Sequence, residues 1–259
     1  MGRKSSRSIF ILAAIFILGG AEPLKRPGIK GADDRQLIRT TNYPWRAIGR
    51  VNVRTGSHCT GTLVAPDTVL TAAHCLWLKR TRRFAPVQSL HFVAGYQFGE
   101  WVAASPIDSY RLAQGYRYKK KPTLADSATD WAILTLAKPI GEETGFIPPA
   151  ADGRLTVADV VKSHRPVTQA GYSGDKRHIL SAHKDCHLGR FRPGSGLVTH
   201  TCDAVSGDSG SPILLFQEGK PMVIAIHVAG IPDKKTGMRL GLALALPPVA
   251  EWAARTRVP

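Results

Sequence analysis

Gly207-Asp208-Ser209-Gly210-Ser211-Pro212 places a serine between two glycines, directly before the apolar run 213–216. A hydroxyl in a turn of this kind becomes a nucleophile when a neighbouring base takes its proton as it attacks. Taken alone, the same residues also describe an ordinary turn between two strands. The base and the acid must therefore come from other parts of the chain.

Two earlier segments contain these groups. Thr71-Ala72-Ala73-His74-Cys75 ends an apolar strand, and Asp130 precedes the alternating run 132–136. A histidine can accept the serine proton near neutral pH, and a carboxylate on its other nitrogen would fix the tautomer. Asp126 is a rival acid, but it lies in a polar turn, whereas the strand pattern starts directly after Asp130. The order histidine, aspartate, serine argues against an α/β-hydrolase esterase, in which the histidine comes last.

Together these segments resemble the trypsin/chymotrypsin superfamily, and most of all its bacterial branch, which includes the glutamyl endopeptidases. Cys59-Thr60-Gly61-Thr62-Leu63-Val64 and Ser209-Gly210-Ser211-Pro212 carry the narrower resemblance, which extends from about Pro44 to Trp252. The resemblance implies an all-β fold of two six-stranded antiparallel β-barrels. It also implies hydrolysis of protein or peptide substrates through an acyl-enzyme, with no cofactor and no metal.

The resemblance also implies a role for each residue of the site. His74, Asp130 and Ser209 would form a catalytic triad, and the backbone N–H groups of Gly207 and Ser209 would form the oxyanion hole. Glycine at 207 lets the backbone turn its N–H into the site. The alternative is a protein of this fold that binds polyanions and has lost catalysis. Such proteins usually lack a triad residue, and none is missing here.

The sequence leaves open which residue is preferred before the cleaved bond. Asp203 lies six positions before the nucleophile, where an acid selects Lys or Arg in trypsin-like enzymes, but it can equally bind loop N–H groups. His227 lies in a run that ends at Gly230 and resembles the strand that pairs with substrate. Glutamyl endopeptidases have a histidine there that receives a substrate carboxylate, although Ala204 and Val228 depart from their pattern. Asp203, His227 and Gly230 are therefore candidate substrate-binding residues.

Short apolar or alternating runs separated by turn residues recur along the chain and predict an all-β protein. The predicted strands are 47–53, 60–64, 68–72, 90–94, 132–136, 167–170, 197–201, 213–216, 222–227 and 241–246. A single helix is predicted at residues 247–255, because the two prolines that open it suit a first helical turn. Residues 138–152, which contain several prolines and glycines, predict a linker between two halves.

The chain is accordingly divided into a signal peptide (1–21), a leader or N-terminal arm (22–41), an N-terminal barrel (42–140) and a C-terminal barrel with its helix (141–259). The signal peptide is predicted from three basic residues before an apolar run at 9–18 and small residues up to Ala21. That run is shorter than the roughly 20 residues that cross a bilayer. These features predict a secreted or periplasmic protein without a transmembrane span once the signal is removed.

The formal net charge is +16, and basic clusters occur at 79–83 and 117–121. Neither cluster has the aromatic and glycine pattern of an RNA-binding module, so no specific nucleic acid is expected. We interpret the clusters as solvated loops that attract anionic surfaces weakly.

Four cysteines in an exported chain predict disulfide bonds. Three pairings are possible, and Cys59–Cys75 with Cys186–Cys202 is the economical one, because each pair is sixteen positions apart. A metal site is not expected, since no C-x-x-C pair is present. Seven further histidines lack ligand spacing and are assigned to surface or strand positions: His58, His91, His164, His178, His183, His187 and His200.

The N-terminal segment lacks the Ile-Val-Gly-Gly sequence with which many relatives begin after activation. Lys25-Arg26, Lys30 and Arg35 are possible cleavage sites, none of them distinctive. The hypothesis is that some trimming occurs and that Asp208 binds either the new amine or an internal cation.

Overall fold

The computed structural model describes residues 26–150, 155–233, 239–246 and 256–257, together with residue 2. The predicted signal peptide, apart from residue 2, and the predicted helix 247–255 lie outside the described residues. The strands are β1 Gln36–Ile38, β2 Ile48–Val53, β3 His58–Ala65, β4 Thr68–Thr71, β5 Trp77–Leu78, β6 Arg83–Phe84, β7 Leu90–Ala94, β8 Ala103–Ala113, β9 Ala132–Leu136, β10 Pro166–Gly171, β11 Leu180–Arg192, β12 Leu197–His200, β13 Pro212–Gln217, β14 Lys220–Pro232, β15 Arg239–Ala245 and β16 Thr256–Arg257.

The described helices are short. The α-helices are α1 Leu124–Ser127, α2 Gly141–Thr144 and α3 Val157–Lys162, and the 3-10 turns are Trp45–Ala47, Ala73–Leu76, Val87–Ser89 and Gly174–Lys176. No helix in the described part of the chain combines the length and the apolar character that a membrane crossing requires.

Two closed antiparallel barrels form the molecule, as predicted. In the first, the strand order is β8-β7-β2-β3-β4-β9, and β9 pairs with β8 to close the sheet. In the second, the order is β11-β10-β13-β14-β15-β12, and β12 pairs with β11. Each six-stranded barrel carries one additional edge strand: β16 on β8 and β1 on β11. The N-terminal strand β1 is therefore added to the second barrel, and the C-terminal strand β16 is added to the first.

The first barrel packs around large apolar side chains that need room. Phe92 is fully buried, and a Cβ at Gly49 would lie 2.5 Å from its ring. At Gly61, a Cβ would lie 2.8 Å from both Val51 and Val69. The two glycines in paired strands therefore allow the aromatic ring to fill the barrel interior at the density of a protein core.

The cysteines pair as Cys59–Cys75 and Cys186–Cys202, the economical pairing of the sequence. The first bond ties β3 to the turn that contains His74. The second ties β11 to the segment that follows β12. Both bonds lie close to the residues discussed below and restrict the loops that carry them.

The N-terminal arm is an integral part of the second barrel. The Arg35 side chain is 1% exposed, and its guanidinium lies 2.8 Å from carboxylate oxygens of both Asp33 and Asp175. This network explains how a polar segment without an apolar pattern can be held in place: ion pairs and strand pairing replace hydrophobic contacts.

The predicted linker runs from one barrel to the other. Ile147 donates its N–H to Leu63 of the first barrel, and Ala150 donates to Val223 of the second. The division of the chain at residue 140 stays a prediction.

Candidate active site

His74 and Asp130 are brought together by the pairing of the strands next to them. His74 lies in the 3-10 turn after β4, Asp130 lies just before β9, and Thr71 of β4 pairs with Ala132 of β9. The Asp130 carboxylate accepts hydrogen bonds from His74 Nδ1 at 2.7 Å and from the His74 backbone N–H at 2.9 Å. Asp130 is 8% exposed, so little water competes for these bonds.

Asp126, the rival acid, has a structural role. It forms a capping box with Thr123 at the start of α1, and its carboxylate lies 2.8 Å from Lys119 Nζ. Hydrogen bonds from Lys119 and Thr123 lower the pKa of Asp126 to about 2. The structure therefore places Asp130, and not Asp126, against the His74 ring.

The Ser209 loop is held against the first barrel next to His74. Thr60 donates its N–H to the Ser209 carbonyl at 3.0 Å, and Cys75 Sγ lies 3.8 Å from the same oxygen. Gly210 has a φ of +82°, and a Cβ there would lie 2.3 Å from the Thr60 carbonyl, so this approach requires glycine. Among the described side chains, the Ser209 hydroxyl makes no hydrogen bond to the ring of His74, a contact that often tightens only when substrate binds.

Two backbone N–H groups at Ser209 are free to bind a ligand. Asp208 and Gly210 both donate their N–H groups to carbonyl oxygens of the protein. Gly207 and Ser209 donate to no acceptor among the described residues, and Gly207 has a φ of +98°, which favours glycine. Free N–H groups on both sides of Asp208 are the donors that a developing oxyanion requires.

Asp208 is enclosed beside Ser209 and is held by neutral donors. Its carboxylate accepts hydrogen bonds from Ser173 Oγ at 2.9 Å and from the Val205 N–H at 2.8 Å. It forms no salt bridge with any cation in the described ranges, and Arg35 acts on it only through its longer-range charge. In the untrimmed chain, hydroxyl and N–H donors therefore hold Asp208 where an internal cation was one expectation, and the binding of a new amine after trimming stays a prediction.

Replacing Asp208 by asparagine should remove a pH-dependent loss of stability. Burial raises the pKa of Asp208 to about 6, whereas an aspartate in an unfolded chain has a pKa of about 3.9. Between these values the folded protein keeps a proton that the unfolded chain has released. The free energy of unfolding therefore falls as pH rises through this window, by roughly 3 kcal/mol from this group.

Denaturant titrations between about pH 4 and pH 7 would measure this effect, in a Ser209→Ala background that prevents self-cleavage. The fall in stability should be smaller in Asp208→Asn than in the parent protein. An equal fall in the two proteins would show that Asp208 does not titrate in this range.

A cavity of about 250 Å³ opens beside Ser209 and His227. Gly230 of β14 and Arg239 of β15 line one side, and Lys30 of the N-terminal arm lines another. Arg239 Nη2 donates to the Gly230 carbonyl at 2.5 Å, which holds the guanidinium at the cavity. The predicted residues His227 and Gly230 thus share this cavity with two cations.

His227 belongs to a buried pair of histidines. Its Nδ1 lies 2.9 Å from Nε2 of His200, and the two rings meet edge to face. Burial lowers the pKa of His227 to about 3 and that of His200 well below its usual value, so both rings are neutral at neutral pH. His200 Nδ1 has no partner among the described residues. Because a buried orphan N–H is rarer than a buried orphan acceptor, we assign His200 Nε2 as the donor, which leaves an N–H on His227 Nε2.

Asp203 anchors the N-terminal arm and is not a free acid in the cavity. Its side chain is completely buried and accepts the backbone N–H groups of Lys30 at 2.8 Å and Asp34 at 3.1 Å. Lys30 Nζ lies 3.8 Å from the same carboxylate. Burial alone would raise the pKa of Asp203, but the neighbouring His183 ring, the two N–H groups that its carboxylate accepts and the charge of Lys30 bring it below its usual value. This arrangement matches the structural role considered for Asp203, and not that of a selector for Lys or Arg.

Sequence reasoning missed three residues at this site: Lys30, His200 and Arg239. Lys30 had been considered only as a place of cleavage, and His200 only as a strand position. No local motif marks them, because their contacts join segments far apart in the chain: 173 residues separate Lys30 from Asp203, and 27 separate His200 from His227.

Two groups of potential metal ligands occur in the described ranges, and neither is arranged for an ion. Cys59 and Cys75 approach His74 but are joined in a disulfide. In the second group, Asp203 accepts two backbone N–H groups, and its own N–H donates to His183 Nδ1 at 2.9 Å. The Nδ1 lone pair with which His183 would bind a metal is therefore already in use.

Comparisons with known proteins agree with this geometry. The sequence profile of the trypsin-like peptidase domain matches residues 59–226. Glutamyl endopeptidase of Bacillus licheniformis is 27% identical over 223 residues, which cover 81% of this chain and 64% of that protein. A Bacillus subtilis protein named extracellular metalloprotease is 25% identical over 228 residues, covering 85% of this chain and 68% of its own length. The chain thus spans less than two thirds of the first of these relatives.

A solved structure of a Glu endopeptidase in complex with MPD has the same fold. It superimposes with a TM-score of 0.66 at 23% sequence identity and covers 86% of this chain and 94% of its own. The profile match takes in Cys59 through Ile226 and so includes His74, Asp130 and Ser209. The chain belongs to the trypsin-like peptidase domain family.

Proposed function

We propose that this protein is a secreted serine endopeptidase. Ser209 Oγ attacks the carbonyl carbon of the scissile peptide bond, while His74 takes the hydroxyl proton and later gives it to the leaving amine. Asp130 holds the ring and stabilises its charged form, and the N–H groups of Gly207 and Ser209 bind the oxyanion. Water then attacks the acyl-enzyme, with His74 again as the base, and releases the acid product. These roles are those of the general triad mechanism of this superfamily.

One observation carries the proposal: the His74 ring is bonded to a buried carboxylate beside a serine loop with two free N–H groups. A structural ion pair would explain the first feature alone. The unsatisfied N–H groups add a place for negative charge next to a hydroxyl, which favours acyl transfer.

Covalent labelling with a fluorophosphonate tests this function. The processed protein should label at Ser209, and Ser209→Ala should not label. Cleavage of a peptide library by the same preparation should accompany labelling. A correctly folded protein that neither labels nor cleaves would instead favour a vestigial protease fold that binds polyanions.

We further propose that the enzyme prefers an acidic residue, glutamate above all, before the cleaved bond. Lys30 and Arg239 give the cavity beside Ser209 a positive charge, and His227 offers a neutral ring with a free N–H. Asp203, the acid that the described residues bring near this region, does not line the cavity: its side chain is buried and accepts the backbone N–H groups of Lys30 and Asp34. The names of the Bacillus licheniformis relative and of the solved structure, both glutamyl endopeptidases, agree with this chemistry.

Replacing Lys30 by methionine should reduce the preference for glutamate over glutamine before the cleaved bond by roughly tenfold, as for loss of one partly buried charge interaction. The two peptides differ in charge and hardly in shape, so the ratio of their kcat/KM values isolates the electrostatic contribution. Lys162→Met, an exposed lysine at the end of α3, is the matched control. An unchanged ratio in Lys30→Met, or a parent preference for Lys or Arg, would contradict this assignment.

Secretion is proposed from the basic and apolar pattern of residues 1–21. Sequencing the N-terminus of active protein from the culture medium would test it, and it would also locate any trimming. Lys30, Asp33 and Arg35 all form hydrogen bonds or ion pairs that hold the arm on the second barrel. We therefore expect any cut to fall no later than Pro27.

A further inference from the structure

The two basic clusters of the sequence form one surface. β5 and β6 make a hairpin, and the loop 116–121 packs on it through aromatic rings. The ring of Trp77 stacks on Tyr118 at 4.8 Å between centroids with an interplanar angle of 12°, and it meets Phe84 edge on at 5.0 Å. Phe84 in turn lies 6.3 Å from Tyr116. We call residues 79–83 and 117–121, which this stack holds side by side, the basic rim.

The basic rim borders the catalytic residues. Trp77 donates its backbone N–H to the carbonyl of His74, so the hairpin starts where the histidine turn ends. At the other side of the stack, Tyr116 donates its N–H to the Ala113 carbonyl, and Ala113 donates to the carbonyl of Trp131, the residue after Asp130. The aromatic stack is therefore built directly on the His74–Asp130 pair.

The rim carries strong positive charge, most of which has no acidic partner among the described residues. It contains eight lysines and arginines, and all eight are exposed. Of these eight residues, only Lys119 forms a salt bridge with an acid in the described part of the chain, and that acid is Asp126. Like charges that repel one another add nothing to the packing of the hairpin, but together they attract anionic ligands and accelerate their association.

We propose that the basic rim is a second recognition surface that binds acidic stretches of the protein substrate next to the cleaved bond. The inference rests on the endopeptidase function proposed above. An extended polypeptide that reaches Ser209 must pass the His74–Asp130 pair, and the rim lies beside that pair. Carboxylates on the residues that flank the cleaved bond are then brought within reach of the lysines and arginines.

A single-stranded nucleic acid fits this surface less well. Proteins that bind such strands combine positive charge with aromatic faces on which bases stack. Here the aromatic rings pack against one another: Tyr116 is buried, and Trp77, Phe84 and Tyr118 are half-buried. The rim offers charge without a stacking platform, which suits a flexible chain of carboxylates.

A pair of peptides tests the proposal. Both contain one cleavable glutamate in the same core; one has aspartates on both flanks, and the other has asparagines at the same positions. At low ionic strength kcat/KM for the aspartate peptide should be roughly tenfold higher, within the range that electrostatic steering gives, while kcat should be similar. The difference should vanish in about 1 M salt, where the Debye length is about 3 Å.

The rim variant changes two residues in each cluster: Lys79→Gln, Arg80→Gln, Lys120→Gln and Lys121→Gln. It avoids Arg82, whose φ is positive, and Lys119, which pairs with Asp126. The control variant removes four exposed charges from the second barrel: Lys162→Gln, Arg190→Gln, Arg192→Gln and Lys220→Gln. The rim variant should cleave both peptides equally, with normal kcat on the asparagine peptide, and the control should keep the tenfold preference.

Each other outcome overturns a defined part of the inference. If the parent protein cleaves both peptides equally, the rim does not recognise acidic flanks, and the endopeptidase function stands. If rim and control variants lose the preference alike, overall charge is responsible and the rim is not. If the rim binds a single-stranded oligonucleotide while the peptides are cleaved equally, its ligand is a nucleic acid. If the parent cleaves neither peptide, nor any peptide of the library, the proposed function fails as well.

Discussion

The Ser209→Ala protein is expected to hydrolyse peptides about a million times more slowly than the parent, the loss in kcat seen on removing the nucleophile or the base of another serine protease. Without Oγ no acyl-enzyme forms, and only the free N–H groups of Gly207 and Ser209 and substrate binding remain to help water attack. His74→Ala should cost about as much, because the hydroxyl is a poor nucleophile without a base. The double variant should be no slower than either single one, since the two groups act as a unit.

Steady-state kinetics on one peptide of the library, with the concentration of active sites known from fluorophosphonate titration of the parent, would measure this loss. Ser211→Ala is the matched control, because its hydroxyl lies two positions away on the same loop and has no hydrogen-bond partner among the described residues. It should keep nearly full activity. Substantial turnover by a carefully purified Ser209→Ala protein would mean that the nucleophile lies elsewhere.

Asp130→Asn is expected to lower kcat by roughly ten-thousandfold, the value known for the same change in this superfamily. The structure gives the reason. Both carboxylate oxygens of Asp130 accept N–H groups of His74, one from the backbone and one from the ring. In asparagine, the oxygen will stay with the backbone N–H, which can only donate. The amide NH₂ then faces Nδ1, so Nδ1 must become the acceptor and the proton moves to Nε2, the nitrogen that should take the proton of Ser209.

Asp126→Asn is the control, because it changes the neighbouring acid in the same loop. Asp126 belongs to the capping box of α1 and pairs with Lys119, so its loss should lower stability slightly and leave kcat within a few-fold. NMR of the ring protons of His74 would show the change of tautomer directly in Asp130→Asn. Equal effects of the two substitutions on kcat would argue that the loop as a whole, and not the tautomer, controls activity.

Much of the fold follows from local patterns. All ten predicted strands are present, with ends within a few residues except at β14, which runs to Pro232. Two of the longest strands, β8 and β11, were missed. Their registers shift, between Ile107 and Ser109 in β8 and between Leu188 and Phe191 in β11. After a register shift, the apolar residues no longer fall on the same alternate positions. The alternation of apolar and polar residues that marks a strand is therefore interrupted.

The residues that we propose as catalytic could be picked out from the sequence because each belongs to a short motif that needs particular neighbours. Ser209 requires glycines where φ is positive and where a Cβ would strike the first barrel, and those glycines are visible as letters. His74 and Asp130 each adjoin a strand with a clear apolar pattern. Cysteines in pairs sixteen positions apart indicated their own partners.

Side-chain periodicity in the sequence by itself predicted an all-β chain, the even cysteine spacing predicted the disulfides, and the resemblance carried by short motifs predicted the two barrels and the triad that we propose. Only the tertiary structure decided the character of the cavity and of the rim. It turned Asp203 inward onto the N-terminal arm, brought Lys30 and His200 to the site, and stacked Trp77 on Tyr118 so that two distant basic clusters became one surface. Charges and rings act over the distance between atoms, and for residues far apart in the chain that distance is set by the closure of the barrels and not by the order of the residues.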